Sequence, residues 1–266
     1  MIPLRDNIPA RTTPIVNYAL IAACGLVFAA QLLEYRDTGP GLVERFGMIP
    51  ARIWNPEQDV TVVEIVPVHG QIERIERNAQ APPFSPWLTL VTCIFLHGGW
   101  MHFLGNVWFL FIFGDNVEDR MGHWAYLLFY FFCGVAASAA HLLSNPQSGV
   151  PTIGASGAIA GVMGAYFLLY PRAMVLSAVP LFFFLEMVVL PAPVFLGIWF
   201  VIQFFQGTAA ITSTQSGGVA WWAHIGGFAA GYAIAAILRT VGETRPPVEQ
   251  TRPNADRVQV YRYRRY

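Results

Sequence analysis

The chain has 266 residues, 55% of them hydrophobic and only 12% charged, with a mean hydropathy of +0.47. A soluble domain carries about a quarter charged residues, so this composition excludes an ordinary soluble protein and argues against disorder over most of the length. The formal charge is zero, every one of the 16 basic residues is Arg, and seven of them lie between Arg239 and the C-terminus, which argues against a basic nucleic-acid-binding domain.

After a short N-terminal segment (1–14), the first apolar run, Ile15 to Leu33, is long enough for a transmembrane helix. A polar first loop (34–87) follows, in which eight acids outnumber five Arg, and its valine-rich stretch Val60 to Val68 suits a short strand. Further spans are expected at roughly Trp100 to Gly114, Trp124 to Leu143, Ile153 to Tyr170, Ala192 to Phe205 and Trp221 to Leu238. The stretch Met174 to Leu190 is apolar, but Pro180, Glu186 and Pro191 divide it into pieces too short to cross, so it reads as an interfacial or partly buried connection. The fold class is therefore all-α, a polytopic membrane protein with six transmembrane helices (15–238) and an Arg/Tyr-rich tail (239–266) expected to be disordered. Arg5, Arg11, Arg120, Arg172 and the tail arginines fall on one side of such a chain, and the short loops on the other side lack basic residues, so both termini are expected in the cytoplasm. Cys24, Cys93 and Cys133 each sit in an apolar run without metal-ligand spacing and read as packing residues.

Ionisable and amide side chains inside spans are expensive and mark function by default. His102 and Asn106 on the second span, Ser156 at the start of the fourth and His224 early in the sixth all fall near the outer ends of helices running in the same direction. At about 1.5 Å rise per residue they share one layer, within about ten ångströms of the outer boundary. Gly157 and Gly161 form one small-xxx-small pair and Gly227 and Gly231 another, which lets the fourth and sixth helices approach closely enough for Ser156 to meet His224. Serine needs a base to become a nucleophile, and imidazole is the side chain suited to that near neutral pH. No carboxylate lies on this side, so the expectation is a Ser-His dyad. His102 and Asn106, one turn apart on one face, together with the Ser156 backbone N–H, would hold the oxyanion. Taken singly, Ser156 reads as a packing residue and Asn106 as interhelical glue; their joint placement favours an active site. His97 either lines a hydrated approach or makes a structural hydrogen bond, His141 is the rival base, and Trp199, Phe200, Phe204 and Phe205 read as lipid-facing bulk.

The elements His97-x4-His102-x3-Asn106, Gly154-Ala155-Ser156-Gly157 and Ala223-His224-Ile225-Gly226-Gly227-x3-Gly231 resemble the rhomboid family of intramembrane serine proteases, bacterial type, over roughly His97 to Leu238. The resemblance implies a six-helix core, Ser156 as nucleophile, His224 as base and acid, and an oxyanion hole of His102, Asn106 and the Ser156 N–H. It also implies Gly154 and His97 lining the site, helix five and its following loop as a lateral substrate gate, and Glu118 and Arg120 as a structural Glu-x-Arg pair. Ala160 departs from the pattern, because many members place there an aromatic ring that stacks on the imidazole. The expected function is cleavage of single-span membrane proteins near the outer part of their transmembrane helix, in the bacterial inner membrane, with transmembrane-helix substrates and lipid as partners and with no cofactor, metal or nucleic acid. The competing readings are a catalytically silent relative that binds membrane clients and, less favoured, a transporter.

Overall fold

The computed structural model describes residues 1–34, 41–68, 71–181, 184–212 and 220–246. Each of the six apolar runs is a helix. They are α1 (Ile15–Glu34), α5 (Trp100–Met121), α6 (His123–Ser144), α7 (Ser156–Leu169), α8 (Ala192–Thr212) and α9 (Trp221–Thr240); the short helices α2 (Leu42–Phe46), α3 (Pro50–Trp54) and α4 (Thr89–Thr92) lie in and after the first loop. By length and apolarity α1, α6 and α9 can cross a membrane, and the bent pair Pro86–Phe95 and Trp100–Met121, which turns through 80°, counts as a fourth candidate. α5 is longer than expected, running past Gly114 to Met121, and carries Asp115, Glu118 and Asp119 in its last turns.

At the centre stands α7. Its sequence, SGAIAGVMGAYFLL, has no charge and no polar face, and Gly157 through Tyr166 are all buried. A helix that is apolar all round belongs inside a bundle, and its small residues set how closely the neighbours come. A Cβ at Gly227 or Gly231 would fall on the carbonyl oxygens of Gly157 and Gly161 respectively, and one at Gly164 on that of Phe228, so α7 and α9 meet backbone to backbone. Cys133 of α6 closes on Gly161 from the other side. All three cysteines are buried and free.

Two strand systems complete the fold. The valine-rich stretch is β2 (Thr61–Val68), paired with β3 (Gln71–Asn78) in an antiparallel hairpin. The fold is mostly helical rather than all-α: in the connection between α7 and α8, β4 (Met174–Leu181) and β5 (Phe184–Pro191) form a second hairpin, and β1 (Ile2–Asp6) of the N-terminal segment adds to it in the order β1-β4-β5. Backbone groups of an apolar segment too short to span need partners. Strand pairing supplies them, and β4 is buried at Val175, Ser177 and Ala178. Asp6 accepts from Asn116 Nδ2 at 2.8 Å and from the Tyr166 hydroxyl, which fastens β1 to α5 and α7. Burial pushes the Asp6 carboxyl up to about 6 despite the Tyr166 hydroxyl and the backbone N–H groups that favour its charged form. Helix directions alternate: α1, α6 and α8 run one way and α5, α7 and α9 the other, so the N-terminal segment and the end of α9 share one end. There Arg245 N–H donates to the Arg120 carbonyl at 2.8 Å. The tail from 247 onward, including Tyr261 to Tyr266, lies outside the described residues.

Candidate active site

The end opposite β1 holds the polar layer. Ser156 is the first residue of α7, so its N–H has no acceptor inside the helix and points outward. The residues before it are held by the first loop and by the turn that follows α4. Met48 pairs with Thr152 in an antiparallel bridge, and Gly154 N–H donates to the Cys93 carbonyl at 2.9 Å. Gly154 has φ +123°, a region L side chains rarely adopt, and a Cβ there would lie 2.7 Å from His102 Nε2 and Cε1 and 3.6 Å from Ser156 Oγ. The glycine is thus the gap that lets the His102 ring and the Ser156 hydroxyl face a common point.

His224 of α9 reaches across this gap. Its Nε2 lies 2.8 Å from Ser156 Oγ, and its Nδ1 lies 2.6 Å from Gln203 Oε1 of α8. An amide oxygen only accepts, so Nδ1 carries the proton and the Nε2 lone pair is left to accept the serine hydroxyl. His102 shows the reverse assignment. Gly98 N–H donates to its Nδ1 at 3.2 Å, which leaves Nε2–H as a donor toward the glycine gap. Asn106 is buried, and its Nδ2 has no hydrogen-bond partner among the described residues. Three donors, His102 Nε2–H, Asn106 Nδ2–H one turn further along α5, and the Ser156 N–H, therefore have no acceptor among the described residues, while Ser156 Oγ lies against His224 Nε2. A small cavity abuts Ser156 and is walled by small residues that include Gly134, Ala137, Gly157 and Ala223.

A serine hydroxyl and an imidazole in contact across two glycine-packed helices are accompanied by a match to the family profile described as Rhomboid domain, over residues 85–241, more than half of the chain. The chain belongs to the rhomboid family. With its apolar helices, membership marks it as an integral membrane protein. Among the relatives of this rhomboid, Rhomboid-like protein 11, chloroplastic, of Arabidopsis thaliana is 40% identical over 79 residues, 30% of this chain and 28% of that protein. Putative rhomboid protease YdcA of Bacillus subtilis (strain 168) is 36% identical over 80 residues, 30% of this chain and 40% of that one. Rhomboid protease GluP of the same bacterium is 32% identical over 154 residues, 57% of this chain and 26% of that one. The chain spans between about a quarter and two fifths of the length of these relatives. They come from a plant and a bacterium, so they do not single out a bacterial type.

Of the two readings of His97 the structure carries the structural hydrogen bond, and several other residues of this rhomboid stand differently from expectation. His97 lines no open approach: it is 2% exposed, its Nδ1–H donates to the Phe95 carbonyl at 3.2 Å, and its ring packs edge-on against His102 with centroids 5.4 Å apart. Gln31 of α1 brackets it, accepting from the His97 N–H and donating to its carbonyl, both at 3.0 Å. No ion pair joins Glu118 to Arg120 among the described residues. The two serve opposite helix ends instead. Glu118 accepts the N–H groups of Val16 at 3.0 Å and Asn17 at 2.7 Å in the first turn of α1, and Arg120 Nη1 donates to the Leu169 carbonyl that ends α7 at 3.1 Å. Carboxylate at an N-terminus and guanidinium at a C-terminus also complement the two helix dipoles. Phe204 and Phe205 are exposed, but Trp199 and Phe200 turn inward. The Trp199 ring sits 5.7 Å from the His224 imidazole. Among the described residues Ser156 hydrogen-bonds His224 and not His141. Gln203 escaped the sequence reading, although its signal was present: an amide four residues after Trp199 inside an apolar run is as costly there as the histidines.

Proposed function

We propose that this rhomboid is an intramembrane serine endopeptidase that cleaves single-span membrane proteins in or near the outer part of their transmembrane helix. The observation that carries the reading is the 2.8 Å contact between Ser156 Oγ and His224 Nε2. In the proposed reaction His224 takes the Ser156 proton as the hydroxyl attacks the scissile carbonyl. The resulting oxyanion is held by His102 Nε2–H, Asn106 Nδ2–H and the Ser156 N–H. His224 then returns the proton to the leaving amine, and water repeats the cycle on the acyl-enzyme. The relatives YdcA and GluP, named as rhomboid proteases, support this reading.

Six spans with both termini in the cytoplasm suit the alternating helix directions and the arginine distribution. In that arrangement α7, at 14 residues, is about 21 Å long and shorter than the roughly 30 Å hydrocarbon core. With its C-terminal end at the cytoplasmic surface, its Ser156 end stops below the outer surface, so the chemistry lies in a depression within the membrane. A substrate helix hides its carbonyls in its own hydrogen bonds and must unwind locally to be cut. The small-walled cavity beside Ser156 suits a small side chain before the cleaved bond. α8 is the proposed gate, and the loop that follows it (213–219) lies outside the described residues.

Fluorophosphonate labelling of the detergent-solubilised protein tests the chemistry. Labelling that is abolished by Ser156→Ala and by His224→Ala, with product masses from a panel of single-span helices mapping to their outer halves, is expected. Absent labelling, or equal labelling of Ser156→Ala, would overturn the enzyme and leave a silent binder of membrane clients.

A further inference from the structure

We propose that Gln203 is a positioning residue that completes the site, holding His224 in the tautomer and orientation that Ser156 requires. The inference rests on the serine-hydrolase reading above. Gln203 is 7% exposed in the wall between α8 and α9, and its Oε1 is 2.6 Å from His224 Nδ1. A neutral imidazole has one proton for two nitrogens. An oxygen at Nδ1 draws that proton away from Ser156 and leaves Nε2 as the base. Without the acceptor the proton can settle on Nε2, where it faces a hydroxyl that has nothing to give it to.

The surroundings leave this task to Gln203. The other titratable groups that act on His224 are the imidazoles of His102 on α5 and His141 on α6; α7 contributes the Ser156 hydroxyl, and no carboxylate hydrogen-bonds the ring among the described residues. Trp199, one turn before Gln203, flanks the same ring at 5.7 Å and limits its rotation. Both constraints come from one face of α8, so the base is fully oriented only while α8 lies against α9. An amide also keeps the buried site uncharged, where a carboxylate would bring an extra charge into a membrane layer.

The test uses the full chain in detergent with three readouts. Gln203→Leu keeps the approximate size and removes the acceptor; its fluorophosphonate labelling rate and its kcat on a cleaved helix are expected to fall on the order of 100-fold, with KM unchanged. Gln203→Glu restores an acceptor but adds charge. Its labelling is expected to persist, with the acid limb of the pH–rate profile displaced upward by roughly one unit or more, because a carboxylate favours the imidazolium. Imidazole 15N shifts should show Nδ1 protonated and Nε2 bare in the wild type and a mixture in Gln203→Leu. Wild-type labelling rates in Gln203→Leu, an unmoved profile in Gln203→Glu, or a tautomer indifferent to Gln203 would overturn the proposal. If Gln203→Leu does not fold, the Gln203→Glu profile decides alone. Failure of the wild type itself to label would sink the hydrolase reading instead, and the nitrogen shifts would still decide whether Gln203 sets the tautomer.

Discussion

Gly227→Ala tests whether the meeting of α7 and α9 is what makes the serine and the imidazole neighbours. A Cβ at Gly227 would collide with the Gly157 carbonyl oxygen and sit 3.0 Å from its carbon. The obstacle is backbone, which cannot swing away. From the 2.0 Å that the Cβ would have to that oxygen, restoring an ordinary carbon–oxygen distance of about 3.3 to 3.6 Å requires the helices to part by roughly 1.3 to 1.6 Å at this level. His224 is three residues before Gly227, and Ser156 directly precedes Gly157. The same parting therefore stretches the 2.8 Å Ser156–His224 contact to roughly 4.1 to 4.4 Å, beyond hydrogen-bond reach. A general base contributes about 10² to 10⁴ in rate, so the labelling rate is expected to fall by about 100-fold or more. Stability should drop by about 1 to 3 kcal/mol, the usual cost of overpacking. Fluorophosphonate kinetics and unfolding in mixed detergent and SDS measure the two effects. Gly105→Ala is the matched control, because a Cβ at Gly105 meets nothing within 4 Å. Should Gly227→Ala label at the wild-type rate with wild-type stability, the helix-approach argument is wrong.

Three further outcomes are expected. Asn106→Ala removes a buried donor that has no ground-state partner, so kcat should fall about 100- to 1,000-fold while unfolding is little changed; an equal loss of stability would make Asn106 a packing residue instead. Glu118→Ala strands the Val16 and Asn17 N–H groups, and a loss of about 2 to 4 kcal/mol is expected in SDS unfolding; a neutral result would mean that water replaces the carboxylate. Asp6 titrates at about 6 in the fold against 3.8 in an exposed chain, so the folded state binds the extra proton between those values. Docking of β1 is therefore strongest below about pH 4 and weakens as pH rises through 6. Amide exchange of residues 2–6 should show this, and Asp6→Asn should flatten the dependence.

The helices were readable because each must hide its own backbone in lipid, which demands an uninterrupted apolar run whatever its neighbours do. The polar layer was readable for a related reason: Ser156, His102, Asn106 and His224 stand out where polarity is costly, and the glycine pairs announce close packing. The strands of the two sheets were only partly visible. Val60 to Val68 shows β-branched character on its own, whereas Ile2–Asp6 becomes a strand only because β4 offers an edge to it. Gln203 was visible as a residue and invisible as a partner, since its meaning depends on which face of α8 turns to His224. The same holds for Glu118 and Arg120, neighbours in sequence that bond to opposite ends of two different helices.

The sequence by itself determined that the chain carries the apolar helices of an integral membrane protein and which polar groups stand out inside them, because solvation by lipid acts on each segment separately. Only the tertiary structure decided which atoms meet between those helices: the hydroxyl with the ring, the ring with the amide of α8, and β1 with its sheet. Those contacts depend on the rotation and spacing of neighbouring elements, and small residues permit close packing without specifying what it brings together.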